Sequence, residues 1–177
     1  FASFSSGSDD LSRETFTRAI ENVDEDKLRI AVYWMALGNI SIRAGELERA
    51  LSELRTARQN DPSNGVVLAR LGLLNSMLGD LRLGLEQINL AIAQDPVSPD
   101  ILHSAARAYY LSGQYEEARE FATTIFEYRS TIDDLELAGD IYFALKYPED
   151  ARAFWMQALE IDPDRIDLVE KVQLLAQ

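Results

Sequence analysis

One short motif, an Ala followed four residues later by Asp-Pro, occurs three times: ARQNDP at 57–62, AIAQDP at 91–96 and ALEIDP at 158–163. The first two copies start 34 residues apart and the last two 67, one short of twice 34. A fixed period of this size means stacked units, each needing its neighbour to bury its apolar face, and not one core wound from distant segments. Other residues keep the same spacing. Gly45, Gly79 and Gly113 follow at 34, with Lys146 after 33. Gly38, Gly72, Ala106 and Gly139 make a second column, Ala50, Gly84, Ala118 and Ala151 a third, and Leu54, Ile88, Ala122 and Trp155 a fourth. Four units result, at 31–64, 65–98, 99–131 and 132–165.

Each unit reads as two helices. In the first, Trp34, Leu37, Gly38 and Ser41 recur at helical spacing, Gly45 interrupts, and Leu47, Ala50, Leu51, Leu54 and Ala57 resume the period until Asp61-Pro62. Proline lacks an N–H and pushes the residue before it out of the helical region, so each Asp-Pro ends a unit. The glycine of the turn tolerates a left-handed backbone. The small columns leave room for the two helices to approach closely, where a Leu would cost about 1–3 kcal/mol of overpacking. The motif missing from the third unit should fall at 125–130, which reads IFEYRS: Ile125 replaces Ala, Arg129-Ser130 replaces Asp-Pro, and one residue is lost between Ala118 and Leu135. In the fourth unit Lys146 takes the glycine's place and Pro148 suits a first helical turn. The expectation is an altered joint between units three and four, with a different stacking angle there.

The chain resembles tetratricopeptide-repeat proteins through W-x-x-L-G at 34–38, L-x-x-L-G at 68–72, LELAGDIY at 135–142 and the closing A-x-x-x-D-P motifs, over 31–165 or about three quarters of its length. The resemblance implies an all-α fold, a right-handed superhelix of antiparallel helix pairs (an α-solenoid), with a concave groove lined by the first helix of each unit. Arrays of this kind serve as binding surfaces in unrelated pathways.

The ends depart from the repeat. Residues 11–23 carry Leu11, Phe16, Ala19, Ile20 and Val23 on one helical face, and the register puts Phe16, Ile20 and Val23 where Ala50, Leu54 and Ala57 sit in unit one. This reads as the second helix of a degenerate preceding unit, capping the stack; dimerisation and groove filling are the alternatives. Residues 1–10 read as a disordered polar lead, and a start at Phe1 as the edge of a processed or excised piece. Residues 166–177 read as a capping helix or the start of a truncated repeat, with Leu168, Val172 and Leu175 inward.

Charge and composition exclude several functions. With 17 basic against 30 acidic residues the net charge is -13, which repels nucleic-acid phosphates and anionic membrane surfaces. The absence of Cys removes thiol nucleophiles, disulfides and Cys-ligated metal, and leans slightly towards an extracytoplasmic compartment. No apolar run reaches the roughly 18 residues of a membrane span, so the chain as given reads as soluble. His103 is the single histidine and reads as a groove-lining polar residue. Glycine-rich phosphate loops are absent, and DEDKL at 24–28 lacks the Gly and spaced ligands of a calcium loop. Asp133, Glu136 and Asp140 share one helix face; with Asp134 they read first as acids favouring a helix start and a solvated face, and next as a dock for a basic partner. No catalytic residue, metal or cofactor is expected.

The family's groove is lined mainly from positions 2, 5, 9 and 12 of each unit. Here these are Val32, Met35, Asn39 and Ile42, then Val66, Ala69, Leu73 and Ser76, then Asp100, His103, Arg107 and Tyr110, and finally Asp133, Glu136, Asp140 and Phe143. The first half is apolar and the second polar and acidic, which suits a peptide or helix that is apolar with a basic end. Internal filling of the apolar half is the alternative. The family's clamp for a C-terminal carboxylate sets Lys/Arg and Asn side chains at positions that here hold Met35, Asn39, Arg70, Asp100 and Ser104; only Asn39 fits cleanly and Asp100 would repel the carboxylate, so that subclass is disfavoured. The function expected is a non-enzymatic scaffold that binds a segment of a partner protein within a larger assembly. The alternative is a spacer or docking region of a longer multidomain protein, such as a periplasmic assembly or polysaccharide-export component; an enzyme comes last.

Overall fold

The computed structural model describes residues 3–23 and 26–175, with side chains from residue 9 onward. The described residues form ten helices: α1 (Ser3–Asn22), α2 (Lys27–Arg43), α3 (Leu47–Asn60), α4 (Gly65–Met77), α5 (Leu81–Gln94), α6 (Pro99–Leu111), α7 (Tyr115–Ile125), α8 (Ile132–Ala144), α9 (Pro148–Ile161) and α10 (Ile166–Leu174). Helices α2/α3, α4/α5, α6/α7 and α8/α9 are the pairs of the four units, and consecutive units pack against one another along the chain.

The punctuation read from sequence has a direct backbone counterpart. Asp61, Asp95 and Asp162 close α3, α5 and α9 with φ of -134, -148 and -135°, the extended conformation a following proline imposes. Each donates its N–H to the motif's Ala, at Ala57, Ala91 and Ala158, and all three alanines are fully buried. At the intra-unit turns Gly45, Gly79 and Gly113 take φ of 75, 95 and 78°, and Lys146 is held at 69° in the same left-handed slot. The small columns set the helix spacing. A Cβ on Gly72 would lie 2.7 Å from the Gly84 carbonyl oxygen, and one on Gly38 2.8 Å from the Leu54 side chain.

Cores run from unit to unit. Leu54 packs with Val67 and Leu74, Ile88 with Ile101 and Ala105, Ala122 with Ile141, and Trp155 with Leu168. The altered joint shows in helix length: α7 has 11 residues where α3, α5 and α9 have 14. Without a proline the chain tightens instead of breaking, with Tyr128 and Arg129 both donating backbone N–H to the Ile125 carbonyl. Ile125 is fully buried in the slot of the motif's Ala.

The N-terminal helix differs from expectation. Apart from residues 1 and 2, which lie outside the described residues, the stretch expected to be a disordered lead is helical, because α1 already starts at Ser3. Extending an existing helix costs far less than starting one, and Asp9 holds this turn to Arg43 of α2 at 2.7 Å. Further along, Arg13 reaches Glu53 and the Ser41 hydroxyl, each at 2.9 Å, and Phe16 lies 6.1 Å from Tyr33. The helix thus packs on α2 and bonds to α3 through Glu53.

Candidate binding groove

A cleft of about 300 Å³ crosses the stack, lined by Asn39, Ile42 and Arg43 of α2, Arg70 and Leu73 of α4, Asp100, His103, Ser104 and Arg107 of α6, and Asp133 of α8. Every lining residue comes from the first helix of a unit. A second, smaller cavity of about 140 Å³ continues it between α6 and α8, lined by Arg107, Tyr110, Leu111, Asp133, Glu136, Leu137 and Asp140. Arg107 and Asp133 are exposed and border both.

Not all expected groove residues reach these walls. Ala69 is fully buried and Ser76 is buried with its hydroxyl donated to the Gly72 carbonyl, so neither presents a surface. Met35 and Val66 pack into the cores beneath, while Leu73 belongs both to the cleft and to the core. Val32 is half-exposed in a separate depression with Leu28, Arg29 and Tyr33, and Phe143 is 40% exposed, 5.8 Å from Trp155. Position in the repeat fixes which way a residue points, but the size of its neighbours decides whether it is covered.

The floor at the altered joint is an ion network absent from any sequence motif. Asp134 is fully buried and accepts from His103 Nδ1 at 2.7 Å, Arg129 Nε at 3.0 Å and the Thr131 hydroxyl at 2.6 Å. Thr131 and Asp134 also cap α8 reciprocally. Burial pushes the Asp134 carboxyl up, but the hydrogen bonds from His103, Thr131 and Arg129 outweigh it and hold the group well below the usual carboxylate range. Arg129 also donates to Asp100 at 2.8 Å, tying α6 to the joint. Arg129, which replaces the Asp of the lost motif, is thus the residue that fastens the joint.

The acidic face carries a second surprise. Lys171 of α10 donates to Glu136 at 2.9 Å and Asp140 at 2.7 Å, lying 5.6 Å from the Trp155 ring, and Arg165 bonds Glu136 at 2.5 Å. Burial raises the Glu136 carboxyl, yet Lys171 and Arg165 bring it below its ordinary value; at Asp140 burial, helped by the Glu136 charge, prevails over Lys171 and leaves the group raised. Two of the three expected docking carboxylates are therefore already engaged by this chain. Counting the repeat one unit further would have put Lys171 at the position of Arg70 and so beside unit four.

Helix pairs in a 34-residue register, left-handed turns at a fixed slot and a cleft made only by first helices describe an array of stacked helical repeats. The chain has the tetratricopeptide-repeat fold. Residues 135–165 match the family model described as tetratricopeptide repeat. Among solved structures the array is similar to the pilF protein of Pseudomonas aeruginosa, with 21% identity, TM-score 0.70, and 84% of this chain and 68% of that one covered. It is also similar to TTC0263, a thermophilic TPR protein of Thermus thermophilus, at 18% identity and TM-score 0.78 over 98% of this chain and 93% of that one. A third similar structure is YrrB, a TPR protein with an unusual peptide-binding site, at 18% identity and TM-score 0.58 over 94% and 84% of the two chains. No curated protein sequence matches. Among the described residues of the array no helix is long and apolar enough to cross a membrane.

Proposed function

We propose that the array is a protein-interaction scaffold whose concave cleft holds a segment of a partner protein. The observation that carries this is the cleft itself: one continuous surface contributed by α2, α4, α6 and α8, with none of the second helices taking part. A segment crossing it meets the apolar Ile42 and Leu73 near one end and the polar α6 and α8 side chains at the other. YrrB, of the same fold, has a peptide-binding site. The basic end expected of the partner has a competitor in Lys171 and Arg165, which already neutralise Glu136 and Asp140.

The test uses the two exposed residues that border both cavities. Arg107→Glu and Asp133→Lys should each weaken a purified partner's binding by roughly tenfold, about 1.4 kcal/mol, with an unchanged thermal midpoint, while Arg55→Glu on the exposed face of α3 should bind as wild type. Wild-type affinity in both groove variants would place the binding surface elsewhere. Leu73→Asp is a poor probe, since Leu73 is only 8% exposed and its loss would damage the core.

A further inference from the structure

Resting on that reading, we propose that Nε2 of His103 is a fixed hydrogen-bond acceptor in the cleft, and that it takes a main-chain N–H of the bound segment. The repeat points to this place. At the third position of successive first helices stand Tyr33, Val67, Ile101, Asp134 and Leu168, so unit four puts a carboxylate in a column that is otherwise aliphatic or aromatic. Asp134 is fully buried there, where an ion without partners is costly. Its Oδ2 accepts from Arg129 Nε at 3.0 Å, the Thr131 hydroxyl at 2.6 Å and the Thr131 N–H at 3.2 Å. Its Oδ1 accepts from His103 Nδ1 at 2.7 Å and Arg129 Nη2 at 3.4 Å. Both oxygens only accept, as an ionised carboxylate does, and such a group has no hydrogen of its own to give. The hydrogen of the 2.7 Å contact is therefore on Nδ1.

A neutral imidazole carries one N–H, which leaves Nε2 with a bare lone pair. Nε2 makes no hydrogen bond among the described residues, and the buried unpartnered atoms there are Asn39 Oδ1 and Arg70 Nε, so Nε2 is open to solvent. The ring lines the cleft with its side chain 18% exposed. Around it stand Arg70 on α4, Asp100 and Arg107 on α6, Arg129 in the link, and Asp133 and Asp134 on α8, three cations against three anions. Arg43 of α2 is taken by Asp9 at 2.7 Å. This balance favours neither an ammonium nor a carboxylate, and a neutral donor is what fits. A segment laid across the cleft loses water from its main-chain N–H groups, and each then needs an acceptor. The fifth positions of the other units offer a thioether at Met35, a methyl at Ala69 and, at Glu136, a carboxylate already engaged by Lys171 and Arg165. Arg129 is thus a positioning residue: it pairs with Asp134, and Asp134 keeps the ring hydrogen on Nδ1. The site asks for a donor, the reverse of what a carboxylate clamp asks for.

Long-range proton–nitrogen NMR of the intact chain, whose single histidine gives one set of ring signals, should find the hydrogen on Nδ1 and none on Nε2. Diethyl pyrocarbonate, which acylates a bare imidazole nitrogen, should modify His103, read by mass spectrometry. A dodecapeptide selected from a random library on the intact chain should protect His103, and N-methylation of one of its residues should weaken binding about tenfold, one hydrogen bond's worth. That N-methyl effect should vanish in His103→Phe. It should vanish in Asp134→Asn too, because the amide keeps an oxygen for Arg129 and Thr131 and turns its NH2 to Nδ1, which moves the ring hydrogen to Nε2. Should Asp134→Asn fail to fold, His103→Phe decides alone. A hydrogen on Nε2 of the wild type, an unreactive His103, a flat N-methyl series, or an effect that persists in His103→Phe would each overturn the proposal. If the peptide moves the Arg107 and Asp133 signals yet leaves His103 reactive, the groove reading stands and the acceptor falls; if no selected peptide moves a cleft residue, both fall.

Discussion

The joints between units come in two kinds. After units one, two and four a buried Ala, an extended Asp and a proline stop the second helix by covalent restriction of the backbone. After unit three the same change of direction is made by electrostatics: the helix tightens past Ile125, and Arg129 is pinned between Asp100 and the buried Asp134, which also holds His103 and Thr131. A proline joint depends little on its surroundings. An ionic joint depends on the protonation and pairing of every member, so one array contains both a robust and a condition-sensitive connection.

The ionic joint breaks most clearly at its centre. Asp134→Ala would leave Arg129 and His103 in a buried site without their shared acceptor, and should lower unfolding free energy by about 3–5 kcal/mol, the usual cost of removing one partner of a buried pair; denaturant titration reads it. Acid should act on the same group. Because Asp134 is held below the ordinary value near 3.9, the unfolded chain takes up its proton first as pH falls. Its stabilisation is therefore complete above about pH 5 and is lost as pH drops through 4 towards the folded value; melts between pH 6 and 3 should steepen in wild type and flatten in Asp134→Asn. Arg129→Ala should cost about 2 kcal/mol through hydrogen bonds to charged acceptors, less than Asp134→Ala because Arg129 is 30% exposed. At the turns, Lys146→Gly should raise stability by about 1 kcal/mol, since Lys146 bears a left-handed backbone that glycine adopts freely. Pro62→Ala should be the mildest, below about 1 kcal/mol. A proline joint more sensitive than Arg129 would reverse the assignment of roles.

Much of the fold was legible because it is local. The helix period, the glycine turns, the small columns and the Asp-Pro stops each lie within one unit, and repetition placed them in register. Even the altered joint was visible, as a lost motif at 125–130. What replaced it was not, since Arg129, Asp100, His103 and Asp134 meet only when units three and four stack. The same reason hid Lys171 and Arg165: their partners lie 29 to 35 residues away. Of the groove, the residues on exposed walls such as Arg107 and Asp133 stand where the register puts them, whereas Ala69 and Ser76 are covered because small side chains let the neighbouring helix close over them.

The two tryptophans of the chain stand at opposite ends of the array: Trp34 packs in the N-terminal unit and Trp155 lies 3% exposed in the C-terminal one, under the Lys171 ammonium. Stacked repeats hold together through nearest neighbours, so either end can open before the rest. Fluorescence of Trp34→Phe and Trp155→Phe would therefore report each terminus separately. With a proline joint near one optical probe and the ionic joint near the other, falling pH should change the Trp155 signal first, a built-in read-out of the order in which the array comes apart.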